Sequence, residues 1–210
     1  MKTASSLAKS HLDKLDLEAA REEPLTMRQR IMATTTNLFE TNGINASGVD
    51  TIIAQAGIAK ATLYKHFPSK NLLIVAYLRE KSDRFYAWMN QRIGVKQAGS
   101  MDILDELCDS VEQWIVDPQF HGLPFHIASI EFPDPAHPVN LYSVQLASEL
   151  QTYLSGIASQ AGAREPKVLG QQLTILFEGA ALVERLSPGA GAASRAKTAA
   201  LTLIRAAMTS

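Results

Sequence analysis

The spacing of apolar residues constrains this fold more than any other feature of the chain. From about residue 26 onward, apolar residues recur three and four positions apart, and the long alternating runs expected of strands are missing. Capping and stop signals divide this pattern into segments of helical length. The sequence therefore predicts an all-α protein, with three N-terminal helices followed by a larger helical region.

Local signals at both ends define the first helix. Thr26 and Gln29 have the spacing of a capping box, and Gly43 is the type of residue that ends a helix. Between these signals, three apolar residues share one face: Ile31, Leu38 and Phe39. We therefore expect a helix over about residues 26–43, with one side in a core.

Two shorter helices fit before residue 70. Ser47 and Asp50 repeat the capping pattern, and Gly57 gives a stop signal after about two turns. A third helix fits residues 59–66, after which Ser69 caps the next one. Five longer helical segments are predicted at about residues 69–90, 103–115, 138–162, 168–186 and 192–208. A less regular helical stretch begins at about residue 122.

Composition narrows the class of protein. The chain has 210 residues, of which 46% are hydrophobic and 20% charged, which is typical of a globular protein. Its formal net charge of -1 means that binding to nucleic acid would need a local basic patch. A single cysteine, Cys108, excludes an intramolecular disulfide. The sequence has no apolar run of membrane-spanning length and no signal-peptide pattern, so we expect a cytoplasmic protein with no membrane contact and a mobile leader over residues 1–24.

The two short helices around Gly57 meet the sequence requirements of a helix-turn-helix, whose second helix enters the major groove of DNA. Lysine, hydroxyl and imidazole side chains lie on or beside that second helix, at Lys60, Thr62, Tyr64, Lys65 and His66. Between residues 25 and 70, five Lys and Arg residues outnumber two acidic ones, so the local charge favours DNA. A solvated helical hairpin is the alternative interpretation.

The run "GIAKATLYKHFPSKNLL", preceded by "GVDTIIAQA", resembles the DNA-binding domain of the tetracycline-repressor (TetR) family. The similarity extends from Thr26 to about Leu73 and includes "LFETNG" at the end of the first helix. Two positions depart from the family pattern, because Ala59 replaces a frequent capping serine and Ala61 a frequent glycine. Losing the serine removes a possible phosphate contact and a cap worth about 1 kcal/mol.

The resemblance implies roles for the residues of this segment. The implied DNA-binding residues are Lys60, Ala61, Thr62, Tyr64, Lys65, His66 and Lys70. Lys70 would hold a phosphate at the start of the fourth helix. The residues that would pack the three helices together are Ile52, Ile58, Leu63 and Phe67.

The resemblance also implies the organisation of the whole chain. A DNA-binding domain would cover residues 25–70, and an effector-binding and dimerisation domain would cover residues 71–210. Because one helix-turn-helix reads only a few base pairs, a homodimer is expected, formed by the last two helices at about residues 168–186 and 192–208. The implied function is a repressor that binds a near-palindromic operator and is released by a small-molecule effector. Packing of these alanine-rich helices within one subunit is the alternative.

The middle of the chain supplies side chains for an effector pocket. The candidate lining residues are Trp88, Trp114, Phe120, His121, Phe125, His126, Glu131 and Tyr142. They suggest a hydrophobic or aromatic effector, although ordinary core packing would use the same aromatic residues.

Other chemistries have weaker support in the sequence. His121, His126, Glu131 and His137 include metal-ligating types, but their spacing is poor and we predict neither a metal site nor a cofactor. No catalytic motif is present, and Cys108 lies in an apolar stripe where an inert thiol is expected, so we predict no enzyme activity. The rival hypotheses are a helical small-molecule-binding protein or enzyme without sequence-specific DNA binding, and an adaptor whose basic surface binds an acidic protein.

Overall fold

The computed structural model describes residues 25–94 and 101–208, and within these ranges the chain forms nine α-helices and no strand. In chain order they are α1 (Met27–Asn42), α2 (Val49–Ala56), α3 (Lys60–His66), α4 (Lys70–Ile93), α5 (Asp102–Val116), α6 (Pro124–Glu131), α7 (Pro138–Gln160), α8 (Pro166–Leu186) and α9 (Ala192–Met208). The prediction of an all-α fold is confirmed. The predicted leader, residues 1–24, lies outside the described ranges.

Four of the five local signals predicted before residue 70 act as expected. Gly43 ends α1, and its amide donates to the Phe39 carbonyl. Thr26 and Gln29 form a complete capping box, in which the Thr26 hydroxyl accepts from the Gln29 amide at 3.3 Å. Gly57 ends α2 with a left-handed φ of 61°. The Ser69 hydroxyl accepts from the Leu72 amide at 3.1 Å and caps α4.

The predicted cap at Ser47 is wrong. Helix α2 begins at Val49 after Gly48, which has no side chain to bond the first turn. The Ser47 hydroxyl instead lies 2.7 Å from the Gly43 carbonyl and 3.1 Å from the Leu38 carbonyl, and the residue is buried. Its polar group therefore satisfies the end of α1, where carbonyls lack helical partners.

Helices α1 to α3 bury the apolar faces that the sequence predicts. Ile31, Leu38 and Phe39 of α1 are buried, as are Ile52, Leu63 and Phe67, and Ile58 is packed against them. Helix α3 also lacks a side-chain cap at Ala59, as expected from its missing hydroxyl.

The larger helical region is built around close contacts between α7 and α8. A Cβ atom added at Gly170 of α8 would lie 2.7 Å from the Ser155 backbone of α7, so glycine allows these helices to approach. Helix α9 packs on α8 and on α5. Lys197 of α9 lies 2.7 Å from both Asp109 and Glu112 of α5. No helix in the described part of the chain is long and apolar enough to span a membrane.

Candidate nucleic-acid interface and internal cavity

A sharp turn sets the position of α3 relative to α2. The Gly57 amide donates to the Ala54 carbonyl at 3.2 Å, and the Ile58 amide donates to the Ile53 carbonyl at 3.2 Å. A side chain at Gly57 would be strained at its positive φ, and its Cβ would approach the Arg30 guanidinium to 3.0 Å. The turn therefore fixes two short helices in a helix-turn-helix arrangement.

Helix α3 presents one polar face outward. Lys60, Ala61, Tyr64 and Lys65 are exposed, whereas Leu63 is buried against the other helices. The exposed positions recur four residues apart and share one side of the helix. Thr62 and His66 are half-buried at the edges of this face. The structure thus brings six of the seven predicted DNA-binding residues onto one short helix.

Lys60 and Lys70 are held by contacts within the protein that differ in strength. Lys60 lies 3.4 Å from the Asp50 carboxylate, but both side chains are mostly exposed and the pair stabilises the protein little. Lys70 is more enclosed, since its ammonium donates to the Asn45 carbonyl at 3.3 Å. Burial lowers the pKa of Lys70, and the charge of Glu131 partly opposes this effect. Lys70 therefore contacts the α1–α2 loop, and its contact with phosphate stays a prediction.

Glu131, at the end of α6, links the larger region to the same loop. Its carboxylate accepts from the Ile44 amide at 3.1 Å and from the Asn45 amide. The Asn45 side chain returns a hydrogen bond to the Glu131 carbonyl at 2.9 Å. The sequence placed Glu131 among pocket residues, but it gave no sign of this contact across 86 positions.

Glu131 also lines a cavity of about 700 Å³. The cavity lies between the end of α1, the middle of α4, the end of α5 and the start of α6. Six of the eight predicted pocket residues line it: Trp88, Trp114, Phe120, His121, Phe125 and Glu131. A ligand role for them stays a prediction.

The other two predicted pocket residues, His126 and Tyr142, are not among those lining the cavity. Phe125 faces the cavity, and the next residue along α6 is turned by about 100°. His126 therefore reaches Glu178 of α8, with 3.5 Å between the imidazole Nε2 and the carboxylate. Tyr142 is half-buried on α7.

One side of the cavity is an aromatic wall, formed by Phe85, Trp88, Trp114 and Phe120. Ring centroids are 4.9 Å apart for Phe85 and Trp114, and 4.8 Å apart for Trp114 and Phe120. Trp88 extends the wall at 6.4 Å from Phe85. All four side chains are partly exposed, so ring surface remains available to the cavity. Phe85 was not among the pocket residues predicted from the sequence.

Four cationic side chains also line the cavity, and three of them pair with carboxylates. Lys81 lies 2.6 Å from Glu40, and Arg84 pairs with Glu80 one turn earlier on α4. Arg92 lies 2.9 Å from Glu106 and covers the Trp88 ring at 5.4 Å.

Arg185, near the end of α8, is the fourth cation. Its guanidinium donates to the His121 carbonyl, in the loop before α6. Gly122 makes room for this side chain, because a Cβ atom there would lie 2.7 Å from the Arg185 Cδ. Arg185 was not predicted to line the pocket, since it lies 64 positions from its partner and in a helix predicted to form the dimer.

The residues considered for a metal site have other contacts. His137 stacks on Phe132 at 4.7 Å, and its Nδ1 accepts from the Val139 amide to cap α7. Across residues 25–94 and 101–208, no group of three or more His, Cys, Asp or Glu side chains is placed to hold a metal ion.

Cys108 is fully buried in α5, as its apolar stripe predicts. Burial raises the pKa of its thiol to about 12, helped by Asp105 and Asp109 nearby. The thiol is therefore protonated and unreactive at neutral pH.

Helix α8 carries a row of exposed apolar side chains away from the core. These are Val168, Ile175, Leu182, Val183 and Leu186. Ile175 is 72% exposed and Leu186 is 73% exposed. Beside them, Ala196 and Ala199 of α9 border a shallow groove between the two helices. An apolar surface of this kind is typical of a protein interface.

Comparison with known proteins shows that the N-terminal helices are similar to those of bacterial transcriptional regulators. Residues 31–77 match the family model described as "Bacterial regulatory proteins, tetR family". The HTH-type transcriptional activator FasR of Mycolicibacterium smegmatis is 32% identical over 66 residues. That match covers 31% of this chain and 30% of the activator, so it spans less than a third of either protein.

Solved structures extend the likeness to most of the chain. A TetR-family transcriptional regulator from Streptomyces coelicolor, SCO4454, is 28% identical with a TM-score of 0.80, covering 87% of this chain and 96% of that one. A putative TetR transcriptional regulator from Streptomyces avermitilis is 26% identical with a TM-score of 0.67, covering 89% of this chain and 100% of that one.

Proposed function

Because the chain belongs to the TetR family of DNA-binding transcriptional regulators, we propose that it is a repressor that binds a near-palindromic operator as a homodimer. A small-molecule effector that enters the cavity would release it. Members of this family are generally non-enzymatic transcription factors, and we extend that property to this chain. The site of action would be the cytoplasm, where the operator lies.

The observation that carries this proposal is the polar face of α3. A helix held by a tight turn at Gly57 presents Lys60, Tyr64 and Lys65 on one exposed side. Lysine binds phosphates, and hydroxyl groups bond to phosphates or to base edges in the major groove. Thr62 and His66 border this face, and Ala61 allows close approach. We assign these residues to the DNA contact, with Lys70 at its edge.

The apolar row on α8 supports a homodimer. Val168, Ile175 and Leu182 are spaced seven residues apart, so they fall along one side of the helix. The same row on a second copy, with the groove beside α9, would bury both surfaces around a two-fold axis. Two copies of α3 would then face two half-sites on one side of the DNA.

Glu131 supplies a physical link between effector and DNA. Its side chain lines the cavity and accepts hydrogen bonds from Ile44 and Asn45 in the loop before α2. A ligand that contacts α6 differently in two arrangements of the domains would change the affinity for DNA. We propose that displacement of Glu131 is part of this coupling.

The sign of regulation is a separate part of the proposal. FasR, similar over 66 residues, is described as an activator, whereas we propose repression by blocking of RNA polymerase. Transcription in vitro from a promoter fragment that binds the protein distinguishes the two. Repression predicts less transcript with added protein, and an increase would assign an activator.

Recovery of bound fragments from sheared genomic DNA of the source organism tests the function directly. Purified protein at near-physiological salt should enrich a small set of fragments upstream of genes, and the variant Tyr64→Ala should lose that enrichment. A folded wild-type protein that enriches nothing, or a variant that enriches the same fragments, contradicts the proposal. Binding of a metabolite without DNA affinity would favour the helical small-molecule-binding alternative.

A further inference from the structure

Arg185 differs from the other cations that line the cavity. Lys81, Arg84 and Arg92 each pair with a carboxylate. In the described part of the chain, Arg185 donates to the His121 carbonyl and no carboxylate pairs with it. A guanidinium has five N–H donors, so most of the hydrogen-bonding capacity of Arg185 is unused.

Each carboxylate that lines the cavity already pairs with a cation or accepts from a backbone amide. Glu40 pairs with Lys81, and Glu131 accepts from the two loop amides described above. Asp117 accepts from the Gln119 amide at 2.7 Å. An anion entering the cavity would therefore meet one cation without a carboxylate partner, whereas each lining carboxylate already lies beside a cation or a backbone amide.

Gly122 leaves the space that the Arg185 side chain occupies. It is buried with a φ of 89°, and any side chain there would collide with the Arg185 stem. Arg185 consequently lies against the loop that carries Phe120 and His121. Phe120, at one end of the aromatic wall, precedes His121 in the chain, so Arg185 contacts the loop that carries that end of the wall.

The aromatic wall defines the rest of the site. Its rings present partly exposed faces, which favour stacking or edge contacts with another planar ring system. A volume of about 700 Å³ is sufficient for a ligand of one or two fused rings with a polar substituent.

From these features we infer that the cavity takes a planar aromatic carboxylate, with its rings on the aromatic wall and its carboxylate bound by Arg185. Carboxylate and guanidinium can form two parallel hydrogen bonds, which add strength and fix orientation. The inference rests on the proposed function, since it names the chemical class of the effector.

Calorimetric titration with a matched pair of probes tests this ligand class. 1-Naphthoate and 1-naphthamide have the same ring system, but only the acid carries a charge. We expect the wild-type protein to bind 1-naphthoate at least about 10-fold more tightly than the amide, because hydrogen bonds to an ionised group are the stronger kind.

Two variants separate the parts of the site. Arg185→Gln should remove the preference for the acid and leave amide binding unchanged, whereas Trp114→Leu should weaken both probes to a similar extent. Arg79→Gln is the control, because Arg79 is exposed on α4 and does not line the cavity. Circular dichroism and thermal unfolding check that each variant is folded.

Several results would overturn the inference. The first is that wild-type protein shows no saturable binding of 1-naphthoate up to about 1 mM. The second is equal affinity of the wild-type protein for the acid and the amide. The third is a folded Arg185→Gln variant that still prefers the acid. Failure of the proposed function is detected separately. Specific binding of the acid without enrichment of genomic DNA leaves the ligand class intact and rejects the regulator, and the reverse result rejects only the ligand class.

Discussion

The DNA-binding surface and the cavity of this protein are assembled in opposite ways. Residues proposed to contact DNA lie between Lys60 and Lys70, most of them on one short helix. The cavity draws side chains from Phe39 to Arg185 and from six different helices. The first site is therefore specified by local sequence, and the second by how distant helices pack.

This difference has an energetic consequence. Side chains on the exposed face of α3 contribute little to folding, so their replacement should change DNA binding alone. Cavity residues are partly buried and support the contacts between helices. Their replacement should change stability as well as ligand binding, and Glu131 belongs to both regions.

Disruption of the proposed dimer should have the largest effect on DNA binding. In the variant Ile175→Glu, a charge would be buried in the proposed dimer interface, at a cost of several kcal/mol. We expect the mass measured by light scattering to halve and operator affinity to fall by more than about 100-fold, because one helix-turn-helix reads too few base pairs.

Leu141→Glu is the matched control for that experiment, since Leu141 is another exposed apolar residue but lies on α7. It should leave mass and operator affinity unchanged. An Ile175→Glu protein that stays dimeric and binds DNA normally would place the interface elsewhere.

Truncation of Tyr64, the exposed tyrosine on α3, tests the DNA-binding surface alone. Tyr64→Ala should lower operator affinity by about 100-fold, as loss of a good groove contact implies. Helix content, thermal unfolding and dimer mass should remain those of the wild type because Tyr64 is exposed. Operator binding within threefold of wild type would show that α3 is not the recognition helix.

Glu131→Ala removes the hydrogen bonds between α6, beside the cavity, and the α1–α2 loop. The Ile44 amide lies at a buried residue and would lose its acceptor, so we expect unfolding in urea to become easier by about 1–3 kcal/mol. Operator affinity should change as well, since the α1–α2 loop loses its contact with α6. Glu165→Ala is the control, because Glu165 is exposed. If the two variants have the same stability and operator affinity, Glu131 does not connect the cavity to the DNA-binding helices.

Lysine substitutions should have smaller, graded effects. Lys65→Gln and Lys70→Gln should each lower the slope of log affinity against log salt by roughly one, the value for one lost phosphate contact. Lys167→Gln on α8 should leave the slope unchanged. A normal slope for Lys70→Gln alone would mean that its ammonium keeps its contact with the Asn45 carbonyl when DNA is bound.

The smallest effect concerns Cys108, in the buried core on α5. Burial raises the pKa of Cys108 to about 12 from an ordinary value of 9.0, so the folded protein retains the thiol proton to higher pH than the unfolded chain. The resulting stability is complete below about pH 9 and is lost as pH rises toward 12. Urea unfolding should show a smaller alkaline loss in Cys108→Ala than in wild type, and an identical loss would contradict the assignment.

Local signals were sufficient for most of the fold. The capping box at Thr26, the stop at Gly57 and the cap at Ser69 each depend on a few neighbouring residues, and all three are present in the structure. Ser47 shows where this reasoning fails. Its hydroxyl could cap the following helix or satisfy the end of the previous one, and only the packing of α1 against the loop decides between them.

The cavity was harder to predict because periodicity identifies an apolar face without identifying its neighbours. Of the predicted pocket residues, Trp114 and Phe120 line the cavity, whereas His126 lies beside Glu178. Arg185 could not be found from the sequence, since its contact with the His121 loop depends on how α8 crosses α6 and on the space left by Gly122.

Selection of random duplex DNA by the purified protein, at near-physiological salt, tests the proposed function most directly. We predict an enriched motif with two-fold symmetry, because two copies of α3 would read two half-sites about one helical turn apart or a multiple of it. A folded, dimeric protein that enriches no motif would contradict the assignment of α3 as a DNA-recognition helix.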